Sequence, residues 1–65
     1  MPSEMRFAEL RRLLEQAGYQ LVRVHSSHHI FARAGQLPLS IPVHHGKVKA
    51  FYVRQVKKIL QAESD

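Results

Sequence analysis

The chain has 65 residues, 45% of them hydrophobic, no cysteine, and a formal charge of +5 from ten Lys/Arg against five Asp/Glu. That length allows one small domain whose core removes only roughly 60% of the unfolded surface from water, which leaves no room for a sizeable internal cofactor pocket. Disulfides, thiolate metal sites and cysteine nucleophiles are excluded together, and no apolar run approaches the roughly 18 residues of a membrane span.

The opening Met1-Pro2-Ser3-Glu4 lacks the basic-then-apolar order of a secretory leader, so a soluble cytoplasmic protein is expected. Ser3 is a suitable N-cap and Glu4 places a carboxylate where the helix dipole favours it. Phe7, Leu10, Leu14 and Ala17 follow at helical spacing, with Leu13 widening the stripe, and Gly18 supplies a left-handed stop. The spacing predicts a first helix over about residues 3–17. Tyr19 to Val24 is aromatic and β-branched and reads as a strand. His25-Ser26-Ser27 turns the chain into a second strand, His29 to Arg33, which stops at Ala34-Gly35-Gln36.

In the third strand Leu37, Leu39, Ile41 and Val43 alternate with Pro38, Ser40, Pro42 and His44. Its prolines remove ladder donors and assign it to a sheet edge. His44-His45-Gly46-Lys47 makes a loop. From about Ala50 the helical pattern returns through Tyr52, Val53, Val56, Ile59 and Leu60, and Glu63-Ser64-Asp65 form a fraying tail. The order αβββα makes an α+β domain: a three-stranded antiparallel meander with two amphipathic helices on one face and the other face left for water or a partner.

Every carboxylate lies in the first 15 residues or the last three, so residues 16–62 carry no negative side chain. A polyanion can lie along that stretch without meeting a fixed like charge.

Five histidines fall in two clusters, His25, His28 and His29, then His44 and His45. Antiparallel pairing brings the start of the second strand near the end of the third, so the clusters are expected at one edge of the sheet. Three readings compete. Zinc accepts three imidazoles and a water, but neighbours on a strand face opposite ways and no carboxylate is at hand to orient the shell. Magnesium wants oxygen ligands that this stretch lacks. Structural roles fit each histidine taken singly, through packing or turn hydrogen bonds. The third reading is acid–base work on RNA: a neutral imidazole takes the proton of a 2′-hydroxyl, whose oxygen attacks the adjacent phosphate, while nearby cations hold the developing charge. No metal, cofactor, cysteine or carboxylate is needed, and DNA lacks the nucleophile. Tyr19, Phe31, Phe51 and Tyr52 are core or rim residues before they are stacking platforms for bases.

Several segments taken together resemble a known family. Leu13-Leu14-Glu15-Gln16-Ala17-Gly18-Tyr19 is similar to a first-helix ending with Gly and an aromatic, and Leu21-Val22-Arg23 to the strand after it. Ser27-His28-His29-Ile30-Phe31 is similar to a Gly-Ser-His-His-x-aromatic signature, Ile41-Pro42-Val43-His44 with Gly46-Lys47 to a valine-proline-histidine segment, and Arg54 with Lys57-Lys58-Ile59 to a basic second helix. In this order and spacing, over nearly the whole chain, they resemble the HicA toxins of HicA–HicB toxin–antitoxin pairs.

The resemblance implies an αβββα fold similar to a double-stranded-RNA-binding domain and an endoribonuclease that cleaves messenger RNA to stop translation. It implies a cognate HicB antitoxin that covers the active site. It makes His28, the first histidine of the pair, the catalytic residue, with Ser27 shaping the loop and Lys47, Lys49 and Arg54 as phosphate contacts. His29 and His44 are accessory candidates, and His44 or His45 a candidate second proton-transfer group. Two positions depart from the pattern: Ser26 stands where the family has Gly, and Val48 to Val53 lacks the usual Glu-Leu…Gly-Thr-Leu run. The alternatives to a toxin ribonuclease are a non-catalytic RNA-binding module of the same fold and an interaction protein whose basic face binds an acidic partner.

Overall fold

Leu10 and Leu14, one helical turn apart, are fully buried, and they anchor the first helix to the rest of the chain. The computed structural model describes residues 3–63, in the order β1 (Met5–Arg6), α1 (Phe7–Gln16), β2 (Gln20–His25), β3 (His28–Ala32), β4 (Leu39–Pro42), β5 (Lys47–Val48) and α2 (Ala50–Glu63). Ser64 and Asp65, the end of the expected fraying tail, lie outside the described residues, as do Met1 and Pro2. The three-stranded sheet has the order β2-β3-β4, antiparallel throughout, with β4 at an edge as its prolines require.

The first helix starts later than its sequence suggests. Met5 pairs with Val48 and Arg6 with Lys47, and the Phe7 N–H donates to the Gly46 carbonyl at 2.8 Å. These backbone groups serve a small second sheet, so α1 begins at Phe7 with Arg6 as an N-cap that makes no side-chain bond. Ser3 and Glu4 precede that sheet and cap nothing. The third strand is also shorter than its alternation: Leu37 lies before β4 and is 84% exposed.

Leu10 and Leu14 of α1, Val53 and Val56 of α2, Phe31 of β3, Ile41 of β4, Val48 of β5 and Tyr19 make one buried cluster. Both helices therefore cover the same face of the sheet, the face reached by Phe31 and Ile41, and the opposite face stays open. Here α+β physics and the αβββα reading agree.

The end of α1 is held by Arg33, the residue that follows β3. Gly18 takes a φ of 94°, its N–H donates to the Glu15 carbonyl at 3.0 Å, and Arg33 Nη1 donates to the Ala17 carbonyl at 2.8 Å while its guanidinium lies 5.0 Å from the Tyr19 ring centre. A Cβ at position 18 would meet Arg33 Cδ at 3.1 Å, so the glycine serves both the turn and this approach. Replacing Arg33 by alanine is expected to cost about 1.5–3 kcal/mol, the range for hydrogen bonds to a charged group. Urea unfolding reads it as a lower midpoint, and an unchanged midpoint would remove Arg33 from the packing account.

Register decides what the open face carries. Phe31 pairs with Leu21 and Leu39, and His29 with Val24 and Ile41, on the covered side. Ile30 pairs with Arg23 and Ser40, and His28 with His25 and Pro42, on the open side. Between Leu21 and Arg23 the ladder slips by one residue, a β-bulge at Val22. Without it Leu21, Arg23 and His25 would share one face; with it Leu21 faces the core and Arg23 and His25 face solvent.

Candidate functional site

The site is built on the turn that joins β2 to β3. His25 and His28 are direct cross-strand partners flanking Ser26-Ser27. Ser26 has a φ of 58°, the left-handed region that glycine enters without cost. The backbone position that suits Gly is therefore retained with a serine in it. Ser26→Gly is expected to stabilise the fold by about 0.5–1 kcal/mol, the relief of left-handed strain less the added freedom of the unfolded chain. In a domain of this size that raises the thermal midpoint by about 2–8 °C. A fall in midpoint on thermal scanning would count against the turn geometry.

Ser27 ties this turn to the second histidine cluster. Its carbonyl accepts the Val43 N–H at 2.8 Å and the His29 Nδ1–H at 3.2 Å. One residue after Val43, His44 enters a two-residue turn: its N–H donates to the Lys47 carbonyl at 3.0 Å and the Lys47 N–H returns the bond at 2.9 Å. His45 and Gly46, between them, have φ of 54° and 73°, the paired left-handed residues that match a hairpin's twist. The two histidine clusters thus meet at one end of the sheet.

Within the adjacent pair His28-His29 the two rings have different surroundings. His29 is half-buried on the covered side, its ring centre 4.5 Å from that of Phe7, with Nδ1 engaged by Ser27. His28 is exposed on the open side, and its Nδ1 lies 3.3 Å from Ser40 Oγ on β4. A serine hydroxyl accepts from an Nδ1–H or donates to a bare Nδ1. Ser40 can therefore hold the ring in either tautomer, with Nε2 left to solvent. Ser40 is a partner that residue type did not single out; its signal in the sequence is the alternation that sends it away from the core between Leu39 and Ile41.

The open face carries Arg23, His25 and His28 with Ser40, Ile30 and Pro42, and no carboxylate, since none occurs between residues 16 and 62. The cations named from sequence lie elsewhere. Lys47 is exposed in β5 opposite Arg6 and adjoins His44 in its turn. The Lys49 carbonyl accepts the N–H groups of Tyr52 and Val53 at the start of α2, with its side chain exposed, and Arg54 is exposed on α2. The structure brings Ser27, His28 and His44 to one end of the sheet, with Lys47 next to them in chain and hairpin. It places Lys49 and Arg54 with the helices that cover the sheet's other face.

A cleft lined by Glu4, Arg6, Glu9, Val53 and Lys57 lies between the start of α1 and α2; it mixes two carboxylates with two cations and includes no histidine. Among the described residues no three His, Asp or Glu side chains gather where they could hold a metal ion, and no helix is long and apolar enough to cross a membrane.

A family model described as "HicA toxin of bacterial toxin-antitoxin" matches residues 7–62. No curated protein and no solved structure matches the chain. The matched stretch runs from the first residue of α1 almost to the end of α2 and includes both histidine turns and all three strands of the main sheet, so the chain belongs to the HicA toxins of bacterial toxin–antitoxin systems.

Proposed function

We propose that this HicA-family toxin is a metal-independent endoribonuclease that cleaves messenger RNA in the cytoplasm, with His28 as general base, and that a HicB-like antitoxin is its protein partner. The observation that carries the reading is the placement of His28: exposed on an open, carboxylate-free sheet face, with its ring held through Nδ1 by Ser40. In the tautomer with hydrogen on Nδ1, the Nε2 lone pair takes the proton of a ribose 2′-hydroxyl. The Nδ1–H bond to Ser40 is the same before and after that transfer, so the ring need not turn during the step. O2′ then attacks phosphorus as the bond to O5′ breaks, which leaves a 2′,3′-cyclic phosphate and a 5′-hydroxyl. Exposed cations along the chain, Arg23, Lys47, Lys49 and Arg54, supply attraction for the phosphate backbone.

The test is incubation of the purified protein with RNA in EDTA and analysis of the fragment ends. Cleavage to cyclic-phosphate ends in the chelator is expected. Binding without cleavage would assign the chain to a non-catalytic RNA-binding module, and cleavage only on adding a divalent cation would overturn the metal-free mechanism.

A further inference from the structure

An imidazole that removes the 2′-hydroxyl proton completes half of the reaction; the departing O5′ needs a proton from a second group. We propose that His25 is that group, the general acid that faces His28 across the β2–β3 turn. This assignment rests on the ribonuclease reading and adds the residue that reading lacks.

The register carries it. His25 and His28 are direct partners in an antiparallel pair, which sets their Cβ atoms about 4.5–5.5 Å apart on one face. Both are exposed. The bulge at Val22 is what turns His25 outward: pairing is Leu21 with Phe31 on one side of it and Arg23 with Ile30, then His25 with His28, on the other. Two residues along β2 from His25, on the same face, is Arg23, exposed and placed for the non-bridging oxygens of a phosphate. The other paired residues on this face, Gln20, Ile30, Ala32, Ser40 and Pro42, are uncharged, so Arg23 and the two imidazoles are its charged and titratable set. Of the other histidines, His29 is packed on Phe7 and bonded to Ser27, while His44 and His45 lie in the turn into β5, outside the β2–β3 pair that sets His25 opposite His28.

In an in-line displacement the attacking and leaving oxygens lie on opposite sides of phosphorus, so the groups that move their protons must flank it. Two imidazoles side by side on an open face meet that requirement. The O2′–P bond forms and the P–O5′ bond breaks; the proton of O2′ passes to His28 Nε2, and His25 gives one to O5′. The imidazolium of His28 and the neutral His25 then exchange protons with water, which restores both. Imidazole is suited to both jobs because its two forms coexist near neutral pH.

The experiment compares two substrates for wild type, His25→Ala, His25→Gln and His28→Ala. One is RNA. The other is a nucleoside 3′-(p-nitrophenyl phosphate), whose leaving group departs as a stable phenolate and needs no acid. Both His25 variants are expected to lose about 10²–10⁴-fold on RNA, the usual contribution of a proton-transfer group, and to keep close to the wild-type rate on the aryl ester. His28→Ala is expected to lose both activities. A wild-type rate on RNA without His25 would overturn the assignment, and so would an equal loss on both substrates, which marks a structural role. A wild type inert on both substrates would instead fell the ribonuclease reading, and the role of His25 with it. The side chain is exposed at a turn, and circular dichroism checks that each variant is folded.

Discussion

His28→Ala is expected to lower the rate of RNA cleavage by about 10²–10⁴-fold, the span measured when a general base or acid is removed. RNA binding should survive, since the ring is exposed and contributes no core contact; its hydrogen bond to Ser40 joins two solvent-facing groups. The fold should survive for the same reason. Rate and affinity therefore separate: single-turnover cleavage falls while the dissociation constant, and its weakening with salt, stay as in wild type. A variant that cleaves as fast as wild type would remove His28 from the mechanism. The same change at His29 should behave differently, because that ring fills space beside Phe7 and bonds the Ser27 carbonyl, so its loss reads first as lower stability.

Phe31→Ala is expected to leave the protein largely unfolded. Phe31 is 0% exposed on β3, which is the middle strand of the main sheet, and its ring centre lies 6.1 Å from that of Phe7. Truncating a buried phenylalanine costs about 3–5 kcal/mol, through lost transfer free energy and the cavity left behind. A chain of this length has only about 3–10 kcal/mol of stability in all. Few side chains share the core, so its other members cannot close the gap. Urea or thermal unfolding followed by circular dichroism would show the transition shifted to much milder conditions or already passed in buffer. A midpoint close to wild type would mean that β3 is not the strand the core is built around. His28 and His29 sit on that strand, so its loss also removes the site.

Much of the fold was legible in residue pattern because each segment's local preference and its tertiary role coincide. The stripe of Val53 and Val56 is the buried stripe of α2, and the alternation around Ile41 is the alternation of β4 between core and open face. Prolines in that segment foretold an edge, and antiparallel order foretold that the two histidine turns would meet, as the Ser27–Val43 hydrogen bond shows. The start of α1 departs from its local signals, because Ser3 and Glu4 are good capping residues that precede an extended segment. Met5 and Arg6 extend to pair with β5, a contact with a segment some forty residues away that local signals do not contain.

The site divides in the same way. Residue type and the family signature make His28 the candidate, and strand alternation predicts that it and His29 face opposite ways. Neither could say which groups stand beside it. The serine that holds its ring comes from another strand at a register the turn lengths leave open. The histidine opposite it reaches the open face only through the one-residue slip at Val22. A strand has a side-chain period of two, so a single extra residue exchanges its faces. The sequence by itself determined where the histidines fall and that their two clusters gather at one end of a small basic sheet. Tertiary pairing decided which of them share a face, because facing is a property of register, and register is set between strands and not within one.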